Sequence, residues 1–560
     1  MTASVRFIGL AFTVMLGSLL VCAGARAAES TLSGAESDVT SSKLELGRRM
    51  YMEGVLPSGK MMTAIISDDI EVTGEQVMCG ACHRRSGLGS SEGQEVIPAV
   101  TGDLLYKPLR LPTSRPPIPP ELRPAYTDAS LKRAIRDGIG ADTGALSPFM
   151  PRYTLNDEEL DILLTYLKSL SGGGAAGVTE KEIHFATIVA ESVDPGTRKA
   201  LTDVLEVYID QKNTETRYES KRDEQAPWHK EWIMGNYRKW VLHVWELKGP
   251  PESWPGQLQA WYQKTPVFAV LSGIAPGGWQ PIHDFCDGFQ VPCLFPTTDL
   301  PVIDEQDFYS MYFSRGMTLE GEIIVQHLSD DDLLATPVLQ VFRESDPIGE
   351  TAAAALRRAL QARGGRVKDL TLSSAGKPDQ AFWQSLRDEG KSAVTVLWLG
   401  EADLQTFWEQ LDGGRASQRV YLSTTVYGEP DTVPAKARDQ VYFVHPSELP
   451  SKLPRLLARS TGWLRFKRVY VPEEQRVQAN AFFALKMAGE GVGHIRGFFS
   501  REYFLERIEH MVDNAFYTSV YPRISLAPNQ RFVSKGGYLA RLSEDGNLVA
   551  VTDWLIPGSN

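Results

Sequence analysis

The five residues Cys79-Gly80-Ala81-Cys82-His83 decide how the first part of this chain is interpreted. Two cysteines three positions apart, followed at once by histidine, form the attachment signature of a c-type haem. Each thiol can add to one haem vinyl group, and the adjacent imidazole is then held under the iron. A redox-active cysteine pair that happens to precede a histidine is the alternative, and the surrounding sequence has to decide between them.

The first 27 residues have the pattern of an export signal. Arg6 supplies a positive charge, residues 7–21 form an apolar core, and Ala25-Arg26-Ala27 matches the small-x-small site of signal peptidase. A retained anchor is an alternative, but the apolar run is short for a span of ~20 residues. Lipidation at Cys22 is another, although the residues just before it are not small. We expect cleavage after about Ala27, a periplasmic location and no stable membrane span in the mature protein.

The composition is typical of a soluble globular protein with several lobes. The chain has 560 residues, of which 42% are apolar and 23% charged. At ~100–200 residues per domain this length predicts roughly three or four lobes. The formal net charge of −12 argues against a nucleic-acid partner, because phosphate binding requires a basic surface.

Two helices are predicted at the ends of a first domain that spans residues 36–175. Residues 44–51 form a probable helix that carries Gly47 in its middle, and such a glycine often marks the close approach of another helix. A second helix begins with Asn156 and Glu159 in a capping-box pattern. Its apolar stripe, at intervals of three and four residues, comprises Leu160, Leu163, Leu167 and Leu170.

Met150 is the second residue of interest in this domain. It stands in the segment Ser147-Pro148-Phe149-Met150-Pro151-Arg152-Tyr153, just before the capped helix. A thioether there could complete the coordination of an iron whose other axial ligand is His83. A core methionine is the ordinary alternative. The competing methionines are Met61, Met62 and Met78.

The CxxCH motif, the paired helices and Met150 together resemble the class I cytochrome c family. The resemblance implies an all-α domain with one covalent haem c on Cys79 and Cys82, and with His83 and Met150 as axial ligands of the iron. It also implies that a proline carbonyl, here Pro98, accepts the N–H of the proximal imidazole. Contacts to the haem propionates are expected from Arg84, Arg152 and Tyr153, although each could equally be a surface residue. The insertion from Gly54 to Gln76 departs from the family pattern.

From residue 181 to 560 the pattern changes to strands that alternate with helices. One set of strands begins with residues 183–190 and a second set with residues 337–342, after the glycine-rich linker around residues 172–177. Repeated βα units predict parallel sheets covered on both faces. Two sets predict two lobes, with a crevice outside the carboxyl ends of the strands.

This second region resembles type I periplasmic binding proteins of the branched-chain amino-acid receptor class. The resemblance implies that a small polar solute, such as an amino acid, binds in the crevice. Residues at the predicted strand ends are therefore candidate ligand contacts, although ordinary turn chemistry also explains them. The candidates are Ser272, Gly273, Thr297, Thr298, Tyr312, Ser345, Asp346 and Tyr427.

Cys286 and Cys293 flank a short loop in this region. In an exported chain a disulfide between them is the simplest interpretation. Two buried thiols are an alternative. A metal site with the nearby His283 is less well supported by the pattern.

Three functions remain open from the sequence. The first is a periplasmic electron carrier that exchanges single electrons with a redox partner protein, while the second region docks a partner or senses a ligand. The second is a solute receptor with an accessory haem. The third is a haem enzyme with an open iron site, if Met150 is not a ligand. No hydrolase, zinc-protease or nucleotide-binding motif is present, so the sequence favours a carrier over a catalyst.

Overall fold

The computed structural model describes residues 41–67, 69–92, 95–110, 122–171, 174–217, 238–304, 306–374, 376–391, 393–409, 417, 419–495, 499–515, 519–527 and 530–558. The expected signal peptide and residues 36–40 of the first predicted domain lie outside these ranges. The chain divides into two compact units, Met1–Gly174 and Ala175–Asn560. The division falls within the glycine-rich stretch of the sequence.

The first unit contains helices joined by short strands, so its description as all-α is wrong. The helices span 41–53, Cys79–His83, Gly102–Leu105, Asp128–Asp137 and Asp157–Ser169, with a 3₁₀ turn at Gly74–Val77. A small antiparallel sheet has the strand order Ile70–Thr73, Thr63–Ile66, Arg152–Tyr153. Two further pairs are Ser90–Glu92 with Glu95–Ile97 and Leu109–Arg110 with Leu122–Arg123. The insertion at residues 54–76 supplies two strands of the small sheet, which is why the helical pattern alone did not reveal them.

The two terminal helices of this unit meet at Gly47, as the sequence predicted. A Cβ atom placed on Gly47 would lie 2.6 Å from Cβ of Tyr166 and 2.8 Å from the carbonyl oxygen of Ile162. The second helix begins with the predicted capping box, in which the Asn156 side chain accepts from the Glu159 amide and the Glu159 carboxylate accepts from the Asn156 amide. The glycine therefore allows close contact between the helices that enclose the unit.

Replacing Gly47 with alanine should loosen this helix contact. The clash should outweigh the gain in helix propensity and destabilise the unit by about 1–3 kcal/mol, the usual cost of overpacking. Hydrogen exchange measured by mass spectrometry should become faster in residues 41–53 and 157–169. Gly462→Ala is the matched control, because a Cβ on this helical glycine would meet nothing within 4 Å. Unchanged exchange in Gly47→Ala would contradict the close approach.

The second unit has two lobes, each built on its own sheet. The first sheet is parallel throughout and has the order Ser310–Met311, Cys293–Leu294, Ala269–Leu271, Glu182–Ala190, Lys239–Leu247. Its principal helices are Pro195–Thr216, Trp254–Lys264, Gln280–Gly288, Gln475–His494 and Arg501–Val512, with shorter ones at Leu453–Leu456 and Ala458–Phe466. The order of strands confirms the βα units predicted for this lobe.

The second sheet has seven strands in the order Val367–Leu372, Val338–Arg343, Val394–Leu397, Arg419–Ser423, Val441–His445, Tyr538–Leu542, Leu548–Ala550. The first five are parallel to one another, and Tyr538–Leu542 pairs antiparallel with both of its neighbours, Val441–His445 and Leu548–Ala550. Side chains alternate between two cores, so helices cover both faces. Met317–Asp330 and Pro347–Ala362 cover one face, and Gln380–Gly390 and Glu401–Glu409 cover the other. A further short helix is Thr424–Tyr427.

The chain passes between the two lobes three times. Core residues of the first lobe end at Phe313 and those of the second begin at Met317. The chain returns between residues 449 and 457, and it crosses again between residues 533 and 538. The helix beginning near residue 316 therefore belongs to the second lobe, although the sequence suggested that it followed a strand of the first. The three connections between the lobes therefore lie in residues 313–317, 449–457 and 533–538.

Cys286 and Cys293 form a disulfide, with Cα atoms 6.1 Å apart. It joins the end of the helix Gln280–Gly288 to the strand Cys293–Leu294 in the core of the first lobe. No helix within the described ranges combines the length and the apolar character that a bilayer span requires.

Glu320 is a buried carboxyl group near the first crossing. Its side chain accepts a hydrogen bond of 2.5 Å from the Thr425 hydroxyl, and the residue is 1% exposed. Burial raises the pKa of Glu320 to about 7, whereas hydrogen bonds from Ser423 and Thr425 lower it only in part. The folded protein therefore holds this proton more tightly than the unfolded chain does.

Stability should consequently fall as the pH rises from the ordinary pKa of a glutamate, ~4.3, through about 7. Glu320→Gln removes this titration. The difference in melting temperature between the variant and the unaltered protein should therefore favour the variant more at pH 8 than at pH 5. Differential scanning calorimetry at both pH values measures the gain. Glu252→Gln, at an exposed position, should show no such difference. An equal shift at both pH values in Glu320→Gln would contradict the raised pKa.

Candidate functional site

The first unit contains a cavity of about 250 Å³ whose walls include Cys79, His83 and Met150. Three residues that the sequence singled out, from segments far apart in the chain, thus meet at one place. Most other wall residues are apolar and include Val96, Val100, Leu105, Leu131, Ile135, Leu146, Leu163 and Leu167. The leucine stripe of the last helix therefore forms part of the cavity as well as part of the core.

His83 is fixed by the partner that the sequence predicted for it. Its Nδ1 atom lies 2.9 Å from the carbonyl oxygen of Pro98, and the residue is 7% exposed. Since a carbonyl can only accept, Nδ1 carries the proton and Nε2 keeps its lone pair. Burial also lowers the pKa of His83, which favours the neutral ring. A neutral imidazole held in one tautomer is the form that binds a metal.

The two cysteines of the motif are not joined in a disulfide. Cys79 is half-buried in the cavity wall and Cys82 is exposed. The Sγ atom of Cys79 lies 3.9 Å from the hydroxyl of Tyr153. Burial raises the pKa of Cys79 to about 11, so its sulfur is held as a thiol. This environment disfavours a reactive thiolate of the kind that redox-active cysteine pairs use.

Met150 sits in a loop held by several backbone interactions. Its amide donates to the Ser147 carbonyl at 3.0 Å. The Arg152 guanidinium donates to the carbonyls of Leu146, Ser147 and Met150, which closes the loop on itself. The thioether is therefore presented to the cavity by a braced segment.

The hairpin formed by the insertion supports the same loop. Ala64 pairs with Tyr153 and Ile65 pairs with Arg152, directly after Met150. The amide of Ser67 also donates to the Pro148 carbonyl at 3.0 Å. The insertion, for which the sequence suggested cover for a haem edge or a partner surface, thus pairs with the segment that carries Met150.

The competing methionines do not reach the cavity. Met61 is 57% exposed and Met62 is fully buried in the core, while Met78 precedes the motif helix. None of the three contributes to the cavity wall, whereas Met150 does. Among the described methionines of this unit, the geometry favours Met150.

Two of the residues suggested for haem propionates have other partners. Arg152 braces the Met150 loop, and the Tyr153 hydroxyl donates to the Val77 carbonyl at 2.7 Å. Arg84 has a positive φ of 63° at the end of the motif helix, and its carbonyl accepts from the Tyr51 hydroxyl. These contacts stabilise the chain around the motif.

Sequence reasoning missed Arg123, which lines the cavity and is 8% exposed. Its guanidinium donates to the carbonyls of Leu104 and Leu105 at 2.8 and 3.2 Å and lies 4.8 Å from the ring centre of Tyr126. Burial lowers the pKa of Arg123. Nothing in the local sequence marks this arginine, because its burial depends on the strand pair that folds it inward.

In the second unit, three of the candidate crevice residues follow strands of the first lobe. Ser272 has a φ of 54° and a buried hydroxyl without a hydrogen-bond partner, and Gly273 beside it has a φ of 126°. The Thr297 hydroxyl accepts from the Asn480 side chain at 3.2 Å. The side-chain oxygen Oδ1 of Asn480 is itself buried and has no hydrogen-bond partner. This strand-end cluster has unused hydrogen-bonding capacity.

The other candidates have structural partners that account for them. Tyr312 is 1% exposed and its hydroxyl lies 2.9 Å from Nδ1 of His283. Asp346 caps the helix Pro347–Ala362 by accepting from the amides of Ile348 and Gly349. The remaining three engage in local bonds: Thr298 with the Leu300 amide, Ser345 with the Glu350 carboxylate, and Tyr427 with Trp408 and Thr432.

Comparison with known proteins finds no matching family model and no matching curated protein. Among solved structures, the chain is similar to a leucine-binding protein from Thermotoga maritima at 11% identity and a TM-score of 0.47, covering 67% of this chain and 99% of that one. A branched-chain amino-acid ABC transporter protein from Thermus thermophilus with bound valine aligns at 13% identity and a TM-score of 0.46, covering 68% and 98%.

A solute-binding protein of R. palustris in complex with benzoate aligns at 12% identity and a TM-score of 0.45, covering 67% of this chain and 97% of that one. These likenesses concern the two-lobed α/β fold alone. The architecture of the second unit rests on its strand order and its three crossings.

Proposed function

We propose that the first unit binds one covalent haem c and carries single electrons in the periplasm, and that the second unit binds a small solute between its lobes. The observation that supports the haem is the apolar cavity in which Cys79, His83 and Met150 meet, with His83 oriented by the Pro98 carbonyl. A cavity with a thiol, an oriented imidazole and a thioether has the donor set that a His/Met-ligated c-type haem requires.

Each protein group has a defined part in this proposal. Cys79 and Cys82 would hold the porphyrin through thioether bonds, and Nε2 of His83 and the Met150 sulfur would be the donors to the iron. The bound haem would supply one-electron chemistry. The Pro98 carbonyl orients the imidazole and increases its donor strength. The braced loop would hold the Met150 sulfur in place, and the leucine-lined walls would exclude water.

The proposed haem attachment requires export to the periplasm. The disulfide between Cys286 and Cys293 is typical of an oxidising environment. The signal-peptide pattern of residues 1–27 points to the same compartment. Electron exchange would then involve a periplasmic redox partner protein.

The solute receptor with an accessory haem is the second candidate, and for residues 175–560 it describes the molecule better than the electron carrier does. Two lobes joined by three crossings form a structure that can close around a small ligand. Ser272, Thr297 and Asn480 lie in the first lobe with buried polar atoms that are not fully used. A polar ligand such as an amino acid or a small carboxylate could use this capacity.

Replacement of Met150 by alanine should open the iron to carbon monoxide. The unaltered ferrous protein should not bind carbon monoxide appreciably and should be low-spin, whereas the variant should bind it readily. Absorption spectroscopy measures both the spin state and carbon monoxide binding. The weak far-red band of the unaltered ferric protein should be absent from the ferric variant. Met61→Ala, at an exposed methionine outside the cavity, should behave like the unaltered protein. Ready binding by the unaltered protein would contradict the assignment and favour an enzyme with an open site.

A thermal-shift screen of amino acids and small carboxylates tests the crevice. A solute present at ~100 times its dissociation constant stabilises the folded unit by about 2.7 kcal/mol, so its melting temperature should rise. Ser272→Ala should reduce that rise. Thr187→Val, which changes a buried hydroxyl within the strand Glu182–Ala190, should retain it. Absence of a shift across a broad panel would count against the receptor and favour a docking role for the second unit.

A further inference from the structure

A cluster of three metal-binding side chains lies in the first lobe of the second unit. Nε2 of His283 is 2.8 Å from Oδ2 of Asp307 and 3.3 Å from Oδ2 of Asp287. One donor atom from each residue lies within 4.8 Å of the other two. Asp287 lies in the last turn of the helix that carries His283, and Asp307 comes from the loop that precedes the strand Ser310–Met311.

We propose that this cluster binds a divalent transition-metal ion, with Zn²⁺ as the best match. A nitrogen and two carboxylate oxygens are ligands that Zn²⁺ accepts in tetrahedral sites. Ligands ~2.0–2.2 Å from the ion stand roughly 3.3–3.6 Å apart in a tetrahedron. The separation of 3.3 Å between His283 and Asp287 matches this value, whereas the separation of 2.8 Å between His283 and Asp307 is a hydrogen-bond distance, so Asp307 would have to move outward to admit the ion. The fourth position remains for water.

His283 is oriented by a residue outside the cluster. It is 4% exposed, and its Nδ1 atom lies 2.9 Å from the hydroxyl of Tyr312, which is itself buried. This contact on the far ring nitrogen directs Nε2 at the two carboxylates. Metal-binding histidines characteristically have such a partner on their other nitrogen.

Backbone amides position the carboxylate of Asp287, and one oxygen of each aspartate faces His283. Oδ1 of Asp287 accepts from the amides of Phe308 and Tyr309 at 3.3 and 3.0 Å. Oδ2 of Asp287 and Oδ2 of Asp307 are buried atoms that lie 3.3 and 2.8 Å from Nε2 of His283. Both oxygens are directed at Nε2 of His283. Buried oxygens of like charge that converge on one imidazole nitrogen are the arrangement that a cation would satisfy.

The alternative is a protonated His283 that pairs with both aspartates. It predicts a structural ion pair with no affinity for metals. The two possibilities differ in their response to added Zn²⁺, because only the metal site binds it and releases protons.

The test is calorimetric titration of the full haem-loaded chain with Zn²⁺ after treatment with a chelator. We expect one site that raises the melting temperature of the second unit. Asp307→Asn should weaken this site at least about 100-fold, since loss of an outer partner alone costs 10–100-fold. Tyr312→Phe should weaken it by about 10–100-fold, because it removes only the partner of Nδ1.

Asp284→Asn is the matched control. Asp284 lies one residue from His283 on the same helix and pairs with Gln280, outside the cluster. This variant should bind Zn²⁺ like the unaltered protein. His184 and His243 form a stacked pair that could also attract Zn²⁺. None of the three variants changes either histidine, so a difference between the variants reports on the cluster around His283. Absence of a Zn²⁺ site in the unaltered chain, or equal affinity in Asp307→Asn, would overturn the proposal.

Discussion

The hydrogen bond between Nδ1 of His83 and the Pro98 carbonyl is the constraint on which the candidate haem site depends. It sets the tautomer of a buried imidazole and leaves Nε2 with a lone pair that can bind a metal ion. The rest of the first unit supports this geometry. The helix contact at Gly47 closes the core, and the hairpin of residues 63–73 pairs with the segment after Met150. Two donors far apart in sequence are thus held at one apolar cavity.

The second unit differs from the first because it consists of two lobes, each with its own sheet. Three crossings connect the lobes, and the disulfide Cys286–Cys293 stabilises the first lobe within its own core. Buried polar groups concentrate where strands end: Ser272 and Thr297 in one lobe, and Ser423 with Thr425 against Glu320 near the first crossing.

Much of this organisation could be predicted from the sequence. Regular periodicity predicted the strands from residue 183 to 423, and the Asn156–Glu159 pattern predicted a capping box that the structure confirms. The antiparallel strands at 538–550 were missed, because they enter the sheet after a crossing and lack a preceding βα unit. The paired strands at 63–73 lie in an insertion without helical periodicity. The contact between Tyr312 and His283 could not be predicted, because the two residues are adjacent only in the folded chain.

A haem bound to Cys79 and Cys82 would add to the mass of the chain. Mass spectrometry of the full chain, exported by a host that attaches haem, measures this directly. We expect a mature chain that begins after about residue 27 and is heavier by one haem, with the haem mapped to the peptide that contains both cysteines. An unmodified chain with Cys79 and Cys82 joined in a disulfide, isolated from a host shown to attach haem to other proteins, would contradict this expectation.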